Sequence, residues 1–356
     1  MAHNKLPNGV VVDCERMKYP FTGLYYYCLH LVKSLEQTNY NNRKLCFYIR
    51  QSTRELFNDS CTIDQHSLHK FLLPSLSPFS IWHSTFQGTM YYPWRRKIKV
   101  VLTVHDLNFL YDDCKATEKK EKYIRQLAAK IERADHVVAI SKFVLEDINK
   151  YISLERKTCS VIYNGLSIYE ISNLVAPTII PAVPFLFTIG TIVDKKNFHV
   201  LPALLQGNDY QLLIAGVTNS EDYKNKIIET AKSLGVFSRV IFTGPVSEND
   251  KQWYFKNCLA FVFPSISEGF GLPVVEAMYF EKPVILSTHT SLPEIGGGAA
   301  YYFNNFESSH VQQILTDSLH DFQINDRGKE MKQRALMFDW RNSAAQYHAV
   351  YDSLLG

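Results

Sequence analysis

Short, continuously apolar runs alternate with longer segments of helical period along the whole chain. The runs are rich in Val, Ile and Phe and are bounded by turn residues; they are 9–12, 45–49, 99–104, 136–140, 159–162, 185–189, 211–215, 240–242, 260–263 and 283–286. Parallel strands with helices on both faces are apolar throughout instead of alternating. The pattern therefore predicts an α/β protein built on doubly wound parallel sheets.

Segments with the apolar spacing of amphipathic helices separate these strands. The predicted helices are 23–36, 116–133, 141–151 with Ser141 as the N-cap, 224–234, 248–257 and 273–280. Near the middle, residues 174–193 form a stretch of 20 residues without a charge. Its length suits a membrane span, but Pro177, Pro181 and Pro184 would break a helix there. We therefore predict a linker that leads into a buried strand.

The length of the chain predicts two domains. At roughly 150 residues per domain, 356 residues correspond to about two. We assign residues 1–172 to a first Rossmann-like domain, 173–184 to the linker, and 185–339 to a second Rossmann-like domain. Ligands of such folds bind outside the carboxyl ends of the strands, so we expect a site in a cleft between the two domains.

The composition excludes several classes of protein and partner. Hydrophobic residues make up 46% and charged residues 21%, which is typical of a globular chain. The net charge of +3 is too small to indicate a nucleic-acid partner. The seven Cys are odd in number, widely spaced and without a Cys-x-x-Cys, so we expect neither a zinc site nor a disulfide framework. A reducing cytoplasm fits this usage, and the N-terminal residues lack the apolar core of a secretory signal.

The most informative segment, 264–278, directly follows an apolar strand. Gly269 and Gly271 allow the backbone to approach a ligand closely, and Pro273 suits the first turn of a helix. Unpaired N–H groups at the start of such a helix can hold a phosphate. The segment therefore predicts a phosphate-binding loop at the carboxyl end of a strand.

Two carboxylates flank this loop at a spacing of seven intervening residues. Glu268 lies before the predicted helix and Glu276 lies about one turn inside it. A carboxylate one turn into the helix can reach a pair of ribose hydroxyls. A carboxylate in the loop can face a sugar beyond the phosphates.

The loop Glu-Gly-Phe-Gly-Leu-Pro, placed between strand and helix, resembles the Glu-x7-Glu motif of the family 4 retaining glycosyltransferases (glycosyl transferases group 1). These enzymes have the two-domain GT-B fold. Further segments resemble the same family in the same order along nearly the whole chain: Thr22-Gly23-Leu24, Thr103-Val104-His105-Asp106-Leu107, 134–141, 161–166, 187–197, 213–216, 242–247, 291–300 and Phe338-Asp339-Trp340. The resemblance also implies that the closing helix, 340–356, packs back on the first domain.

The resemblance implies a role for individual residues. Three are implied in catalysis: Glu268 would organise the donor sugar, His105 would complete its pocket from the first domain, and Lys196 would anchor the diphosphate. Glu276 would bind ribose. The other implied donor-binding positions are Gly23, Gly190, Thr191, Lys195, Val246, Gly269, Phe270, Gly271 and Leu272.

The chain departs from the family pattern at the diphosphate. Many members have Arg where this chain has Lys195, and some have Arg where it has Thr191, which removes the fork that a bidentate phosphate contact needs. No Asp-x-Asp occurs, and Asp112-Asp113 lacks its spacing, so no metal ion is implied. No cofactor other than the nucleotide-sugar substrate is expected.

The implied reaction is transfer of a hexose from a nucleotide sugar with retention at the anomeric carbon. The expected acceptor is a saccharide or a lipid-linked saccharide in bacterial-type surface polysaccharide or glycan assembly, and first-domain loops such as 83–94 would select it. The mannosyltransferase-like variant of the motifs makes GDP-mannose the first expected donor, with UDP sugars still open. A nucleotide-sugar epimerase of the same fold and a non-catalytic sugar-nucleotide-binding subunit remain as alternatives.

We expect a cytoplasmic protein with a possible peripheral contact to the inner face of the cytoplasmic membrane. The stretch from Lys115 to Arg133 carries basic residues on a predicted helix, namely Lys119, Lys120, Lys122, Arg125 and Lys130. Such a surface can dock on anionic lipid. A solvated helix is the alternative, because Glu118, Glu121 and Glu132 are interspersed among these cations.

Overall fold

The computed structural model describes residues 8–20, 22–39, 42–57, 60–95, 97–112, 115–166, 171 and 173–355. Its internal contacts divide the chain into two compact units. One comprises Met1–Gly165 with Asp339–Gly356, and the other comprises Leu166–Phe338. The first unit thus ends before the predicted boundary at residue 172, which lies outside the described residues, as do Asp113 and Cys114.

In the described part of the first unit, seven parallel strands form one sheet in the order β3-β2-β1-β4-β5-β6-β7. The strands are β1 (Gly9–Asp13), β2 (Lys44–Ile49), β3 (Cys61–Asp64), β4 (Ile81–Ser84), β5 (Lys99–Val104), β6 (His136–Ala139) and β7 (Cys159–Val161). The helices are α1 (Gly23–Gln37), α2 (Thr117–Arg133), α3 (Lys142–Tyr151) and, from the end of the chain, α10 (Trp340–Leu355). Ser141 caps α3 as predicted, accepting from the Val144 N–H.

Helices α1 and α10 cover one face of this sheet. The hydroxyls of Tyr27 in α1 and Tyr347 in α10 lie 2.8 Å apart. His83, in β4, bonds through its two ring nitrogens to Tyr351 at 2.7 Å and to Thr103 at 2.8 Å, and burial lowers its pKa to about 3. The predicted acceptor loop therefore begins after Ser84 instead of at His83, because His83 is a buried strand residue that ties α10 to the sheet.

A disulfide lies among the described residues of the first unit, where the cysteines led us to expect none. Cys46 and Cys61 are bonded, and they are register partners on the neighbouring strands β2 and β3. The strand at 61–64 was not predicted, so this pairing could not be anticipated. Cys14, Cys28, Cys159 and Cys258 are free thiols. One bonded pair weakens the inference of a reducing compartment that rested on cysteine usage.

Six parallel strands form the sheet in the described part of the second unit, in the order β10-β9-β8-β11-β12-β13. They are β8 (Phe185–Ile189), β9 (Gln211–Ala215), β10 (Val240–Gly244), β11 (Ala260–Phe263), β12 (Val284–Ser287) and β13 (Tyr301–Phe303). The helices are α4 (Glu221–Ser233), α5 (Glu248–Asn257), α6 (Leu272–Tyr279), α7 (Leu292–Gly296), α8 (Ser308–Ile324) and α9 (Gly328–Leu336). The prediction of doubly wound parallel sheets is confirmed for both units.

The uncharged stretch at 174–193 leads into β8 as predicted. Within the described residues, none of the helices combines the length and the apolar character needed to cross a bilayer.

Candidate functional site

Three glycines shape the carboxyl edge of the second sheet, where β8, β9 and β10 end. A Cβ at Gly216, whose φ is +134°, would collide with the carbonyl oxygen of Gly190. The Gly216 N–H donates to the Gly244 carbonyl at 2.8 Å. A Cβ at Gly190 would lie 3.1 Å from Cε of Lys196. Glycine at 190 therefore leaves room for the Lys196 side chain.

Lys196 and Glu268 form a half-buried ion pair at this edge. The Lys196 ammonium donates to Oε1 of Glu268, which also accepts from Oγ of Ser265 at 2.6 Å. Both charged side chains are 12% exposed. The ammonium also lies 4.8 Å from the centre of the Phe263 ring, a cation–π contact. Two predicted catalytic residues, 72 positions apart, are thus brought together.

Two loops meet to make this pair. Lys196 ends the short 3-10 turn Asp194–Lys196, which follows β8, and Glu268 lies on the loop after β11. The Lys195 carbonyl accepts from the Ile266 N–H at 2.9 Å and from Oγ of Ser265 at 3.1 Å. Lys195 therefore joins the loops through its backbone.

Glu268 is held in its ionised form. Burial alone would raise the pKa of this carboxyl, but the ammonium groups of Lys196 and Lys195 and the hydrogen bonds from Lys196 and Ser265 outweigh burial and lower it. The site thus presents a carboxylate and an ammonium side by side in a partly dry environment.

A second ion pair, this one buried, involves Glu276. This residue lies on α6, and its Oε1 accepts from the Lys251 ammonium of α5 at 2.8 Å. The Lys251 ammonium also lies 3.0 Å from Oε2 of Glu248. Burial raises the pKa of Glu276, and Lys251 offsets this only in part. Burial would lower the pKa of Lys251, but Glu276 and Glu248 raise it, so Lys251 stays cationic.

Lys251 is a site residue that the sequence did not predict. The predicted contact on this side is Val246, a half-buried residue in the loop before α5. One sequence feature could have indicated it. Ser247 is an N-cap, and Lys251 stands four residues later, which places this lysine one turn into α5.

Ser291 holds the loop that leads into α6 through hydrogen bonds to its backbone. Oγ of Ser291 donates to the carbonyls of Glu268 at 3.0 Å and of Phe270 at 3.3 Å. The Phe270 side chain is buried against Phe338, with ring centres 5.4 Å apart, so only the backbone of this predicted donor contact can serve a ligand. Gly271 adopts φ +102° before Leu272 begins α6, a backbone conformation that glycine accepts readily.

Two further predicted positions lie near the strand ends. Thr191 directly follows Gly190 and is half-buried. The next residue, Ile192, donates its backbone N–H to the Val217 carbonyl at 2.9 Å. In the first unit, Gly23 is the first residue of α1 after the N-cap Thr22, and a Cβ there would meet open space. Glycine at 23 is therefore not required by the local packing.

His105 lies in the first unit at the end of β5 and is buried. Its Nε2–H donates to the Thr85 carbonyl at 2.7 Å, and its ring meets the ring of Tyr27 edge to face at 4.4 Å. Burial lowers its pKa to about 4, although the bond to Thr85 opposes this shift. His105 is therefore neutral near pH 7 and is held in place by Thr85.

Asp13 and Lys130 both bond to the loop after β4, which also bonds to His105; we call these contacts the Asp13–Lys130 clamp. Oγ1 of Thr89 donates to Oδ2 of Asp13 at 2.9 Å. The Lys130 ammonium donates to the carbonyls of Gln87 and Thr89, both at 2.6 Å. The prediction that Lys130 belongs to the basic surface of this helix is wrong, because Lys130 shares the buried face of α2 with Leu127 and Ile131.

This clamp is expected to make stability depend on pH. Burial raises the pKa of Asp13 to about 7, and burial lowers the pKa of Lys130 to about 8. The folded state therefore binds more protons at Asp13 than the unfolded chain between about pH 4 and 7, so stability falls as pH rises through that window. Asp13→Asn should remove this slope and raise the free energy of unfolding at pH 8 by on the order of 2 kcal/mol, as measured by denaturation at several pH values. An unchanged slope in the variant would contradict the assignment.

A cavity of about 860 Å³ lies beside this loop in the first unit. Its lining includes Phe86, Met90, Trp94, Asp106, Phe109 and Tyr123. The rings offer flat faces and Asp106 offers an acceptor, which together suit a saccharide. The described residues contain no group of three or more His, Cys, Asp or Glu side chains that could hold a metal ion, and the expectation of a metal-free site stays a prediction.

Two family models match the chain. Glycosyltransferase Family 4 matches residues 66–168, and Glycosyl transferases group 1 matches residues 177–314, so together they cover more than half of it. The serotype-specific mannosyltransferase WbdA of Escherichia coli is 30% identical over 276 residues, which cover 71% of this chain and 32% of WbdA. The chain thus spans about a third of that relative. O-antigen chain mannosyltransferase B of Escherichia coli is 25% identical, with 97% of this chain and 100% of that protein covered.

Solved structures match nearly the whole chain at low identity. Sucrose-phosphate synthase from Thermosynechococcus elongatus has a TM-score of 0.76 and 18% identity, covering 97% of this chain and 98% of that one. HepE from Anabaena, solved with UDP and glucose, has a TM-score of 0.70 and 17% identity, covering 97% and 99%. The predicted GT-B fold class is confirmed by these likenesses.

Proposed function

Since the chain belongs to the family 4 glycosyltransferases, we propose that it transfers a hexose from a nucleotide sugar, with retention, to a saccharide or lipid-linked saccharide. The expected setting is the assembly of a bacterial-type surface polysaccharide. The mannosyltransferase relatives support GDP-mannose as the donor. HepE, solved with UDP and glucose, keeps a UDP sugar as the second choice.

The half-buried Lys196–Glu268 pair is the observation that carries this proposal. As the bond between the anomeric carbon and the phosphate oxygen breaks, its electron pair moves to the leaving diphosphate. A cation in a partly desolvated position stabilises that growing charge more strongly than it would in water. Glu268, kept ionised beside it, can accept hydrogen bonds from the hydroxyls of the donor sugar.

The N-terminus of α6 supplies the second part of the donor site. Backbone N–H groups around Gly271 and Leu272, together with the helix dipole, favour a bound phosphate. Glu276, one turn farther along, is the proposed ribose ligand. The acceptor hydroxyl attacks the anomeric carbon from the face that the diphosphate leaves, and its proton passes to a diphosphate oxygen.

The cavity beside Trp94 and Phe109 is the proposed acceptor site. Aromatic faces stack on sugar rings, and Asp106 can accept from hydroxyls. His105, neutral and fixed by Thr85, is the proposed wall of the donor-sugar pocket from the first unit.

Donor choice is tested by thermal unfolding with a panel of GDP and UDP sugars. A donor present at a hundred times its Kd stabilises by about 2.7 kcal/mol and should raise the melting temperature by a few degrees. We expect GDP-mannose to give the largest shift. The stabilising donor is then incubated with saccharide acceptors, and the product's anomeric configuration is determined by NMR.

The outcomes separate the alternatives. An inverted product would contradict retention. Conversion of the donor without an acceptor would indicate an epimerase, and donor binding without turnover across the acceptor panel would indicate a non-catalytic subunit.

A further inference from the structure

The connection between β12 and α7 holds the loop that carries Glu268 through side-chain hydroxyls. Oγ of Ser287, the last residue of β12, donates to the Ser265 carbonyl. Oγ1 of Thr290 accepts from the Glu268 N–H at 3.0 Å. Oγ of Ser291 donates to the Glu268 carbonyl at 3.0 Å. We call these contacts the hydroxyl clasp.

Thr290 takes part in this clasp with a backbone conformation that threonine rarely adopts. Its φ is +56°, in the left-handed region, where a β-branched residue is strained. Glycine adopts the same φ at little cost. Backbone strain of this kind persists only where the surrounding contacts fix the residue, and it is concentrated at functional sites. The side-chain contact that accompanies the strain here is the bond from the Glu268 N–H.

Glu268 is thereby fixed at both of its ends. The Lys196 ammonium and Oγ of Ser265 hold its carboxylate. Thr290 and Ser291 hold its backbone N–H and carbonyl. A carboxylate on a loop keeps one direction only when the backbone that carries it is also fixed. A displacement of about 1 Å from the productive geometry costs on the order of a hundredfold in rate.

Thr290 is the member of the hydroxyl clasp whose effect can be tested separately. Ser287 and Ser291 are fully buried, and Ser291 also bonds to the Phe270 carbonyl, so their removal would disturb more than one contact. Thr290 is half-buried, and within the described part of the chain its hydroxyl bonds to Glu268 alone.

We propose that Thr290 is a positioning residue for sugar transfer, which fixes the Glu268 carboxylate through the Glu268 N–H. This inference rests on the proposed function, because that function assigns the Glu268 carboxylate to the donor sugar. Activity should then follow the oxygen at position 290, and stability should follow the backbone strain there.

Steady-state kinetics of the full chain tests the proposal, with the donor and acceptor identified in the transfer assay. Thr290→Val keeps the shape and the strain but removes the oxygen, so kcat should fall by about tenfold to a hundredfold. The donor KM should change by less than about threefold. Thr290→Gly removes both oxygen and strain and should lose as much kcat as Thr290→Val. Thr290→Ser keeps an oxygen that can accept the same bond and should keep about half of the parental kcat or more.

Melting temperatures separate positioning from folding. Thr290→Gly should melt a few degrees above Thr290→Val, because glycine meets the left-handed φ without strain. Equal losses of kcat in two variants of different stability would not arise from a merely structural role. Asp326→Gly is the matched control, since it relieves a φ of +45° at an exposed residue between α8 and α9. It should leave kcat unchanged.

A double-mutant cycle shows whether Thr290 acts through Glu268. Glu268→Gln removes the carboxylate and keeps the backbone N–H that bonds to Thr290. Adding Thr290→Val in that background should lower the remaining kcat by less than about twofold, because the group that Thr290 positions is already gone.

Four results would overturn this inference while the parent still transfers sugar. They are an undiminished kcat in Thr290→Val, a loss in Thr290→Ser as large as in Thr290→Val, a kcat that follows the melting temperature across the variants, and full additivity in the cycle. Absence of transfer by the parent chain would overturn the proposed function and this inference with it. The activity of the parent therefore distinguishes the two failures.

Discussion

Lys196→Ala is expected to lower kcat by roughly a hundredfold to a thousandfold, the effect of losing one preorganised donor to a developing anion. The Lys196 ammonium is 12% exposed and lies at the end of β8 beside the loop that precedes α6. Its charge acts on the leaving diphosphate in the transition state more than on the bound donor. The loss should therefore appear mainly in kcat, measured with saturating donor and acceptor, with a smaller change in the donor KM.

The change should also move the pH profile. Without Lys196, burial acts on Glu268 with less opposition, so the pKa of Glu268 rises. The acidic limb of the kcat profile should shift to higher pH, a result that simple loss of folding would not produce. Lys196→Arg keeps the charge and should recover part of the rate.

Lys195→Ala is the comparison variant, because Lys195 lies on the same turn and its ammonium acts on Glu268 less strongly than that of Lys196. The kcat of Lys195→Ala should fall less than that of Lys196→Ala. Equal losses in the two variants, or an unchanged kcat in Lys196→Ala, would remove Lys196 from the catalytic machinery.

The sequence predicts the elements of this fold best where the strands are continuously apolar. The predicted strands at 185–189 and 260–263 coincide with β8 and β11. The strand β4 was missed because half of its four residues, His83 and Ser84, are polar. His83 is buried there through bonds to Tyr351 and Thr103, which are distant in sequence. Edge strand β3 has no apolar run and was missed for the same reason.

For the candidate site, the resemblance names Glu268, Lys196 and Glu276, but local pattern does not reveal their partners. Lysine on a helix is ordinarily a solvated residue, so the residue type alone does not indicate that Lys130 and Lys251 are buried. Their burial depends on acceptors far along the chain, Thr89 for one and Glu276 for the other. Side-chain pairing at a distance is therefore the part that required the structure.

The pairing of Glu276 with Lys251 raises a question that a double-mutant cycle can answer, namely whether Glu276 serves the donor or only the fold. Glu276→Leu leaves the Lys251 ammonium with Glu248 alone and should cost on the order of 3 kcal/mol in the free energy of unfolding. Lys251→Met leaves a buried carboxylate and should cost a similar amount. The double variant replaces both charges with apolar groups and should recover to within about 1 kcal/mol of the parent.

Donor affinity should not follow stability through this cycle. Calorimetric titration with the donor found in the thermal screen should show strongly weakened binding in Glu276→Leu and in the double variant alike, because both lack the proposed ribose ligand. Lys251→Met should bind more tightly than either, since it keeps the Glu276 carboxyl group, although the loss of Lys251 raises the pKa of that group further. If the double variant recovered donor affinity together with stability, Glu276 would be a structural residue. The ribose contact would then lie elsewhere at the carboxyl edge of the second sheet.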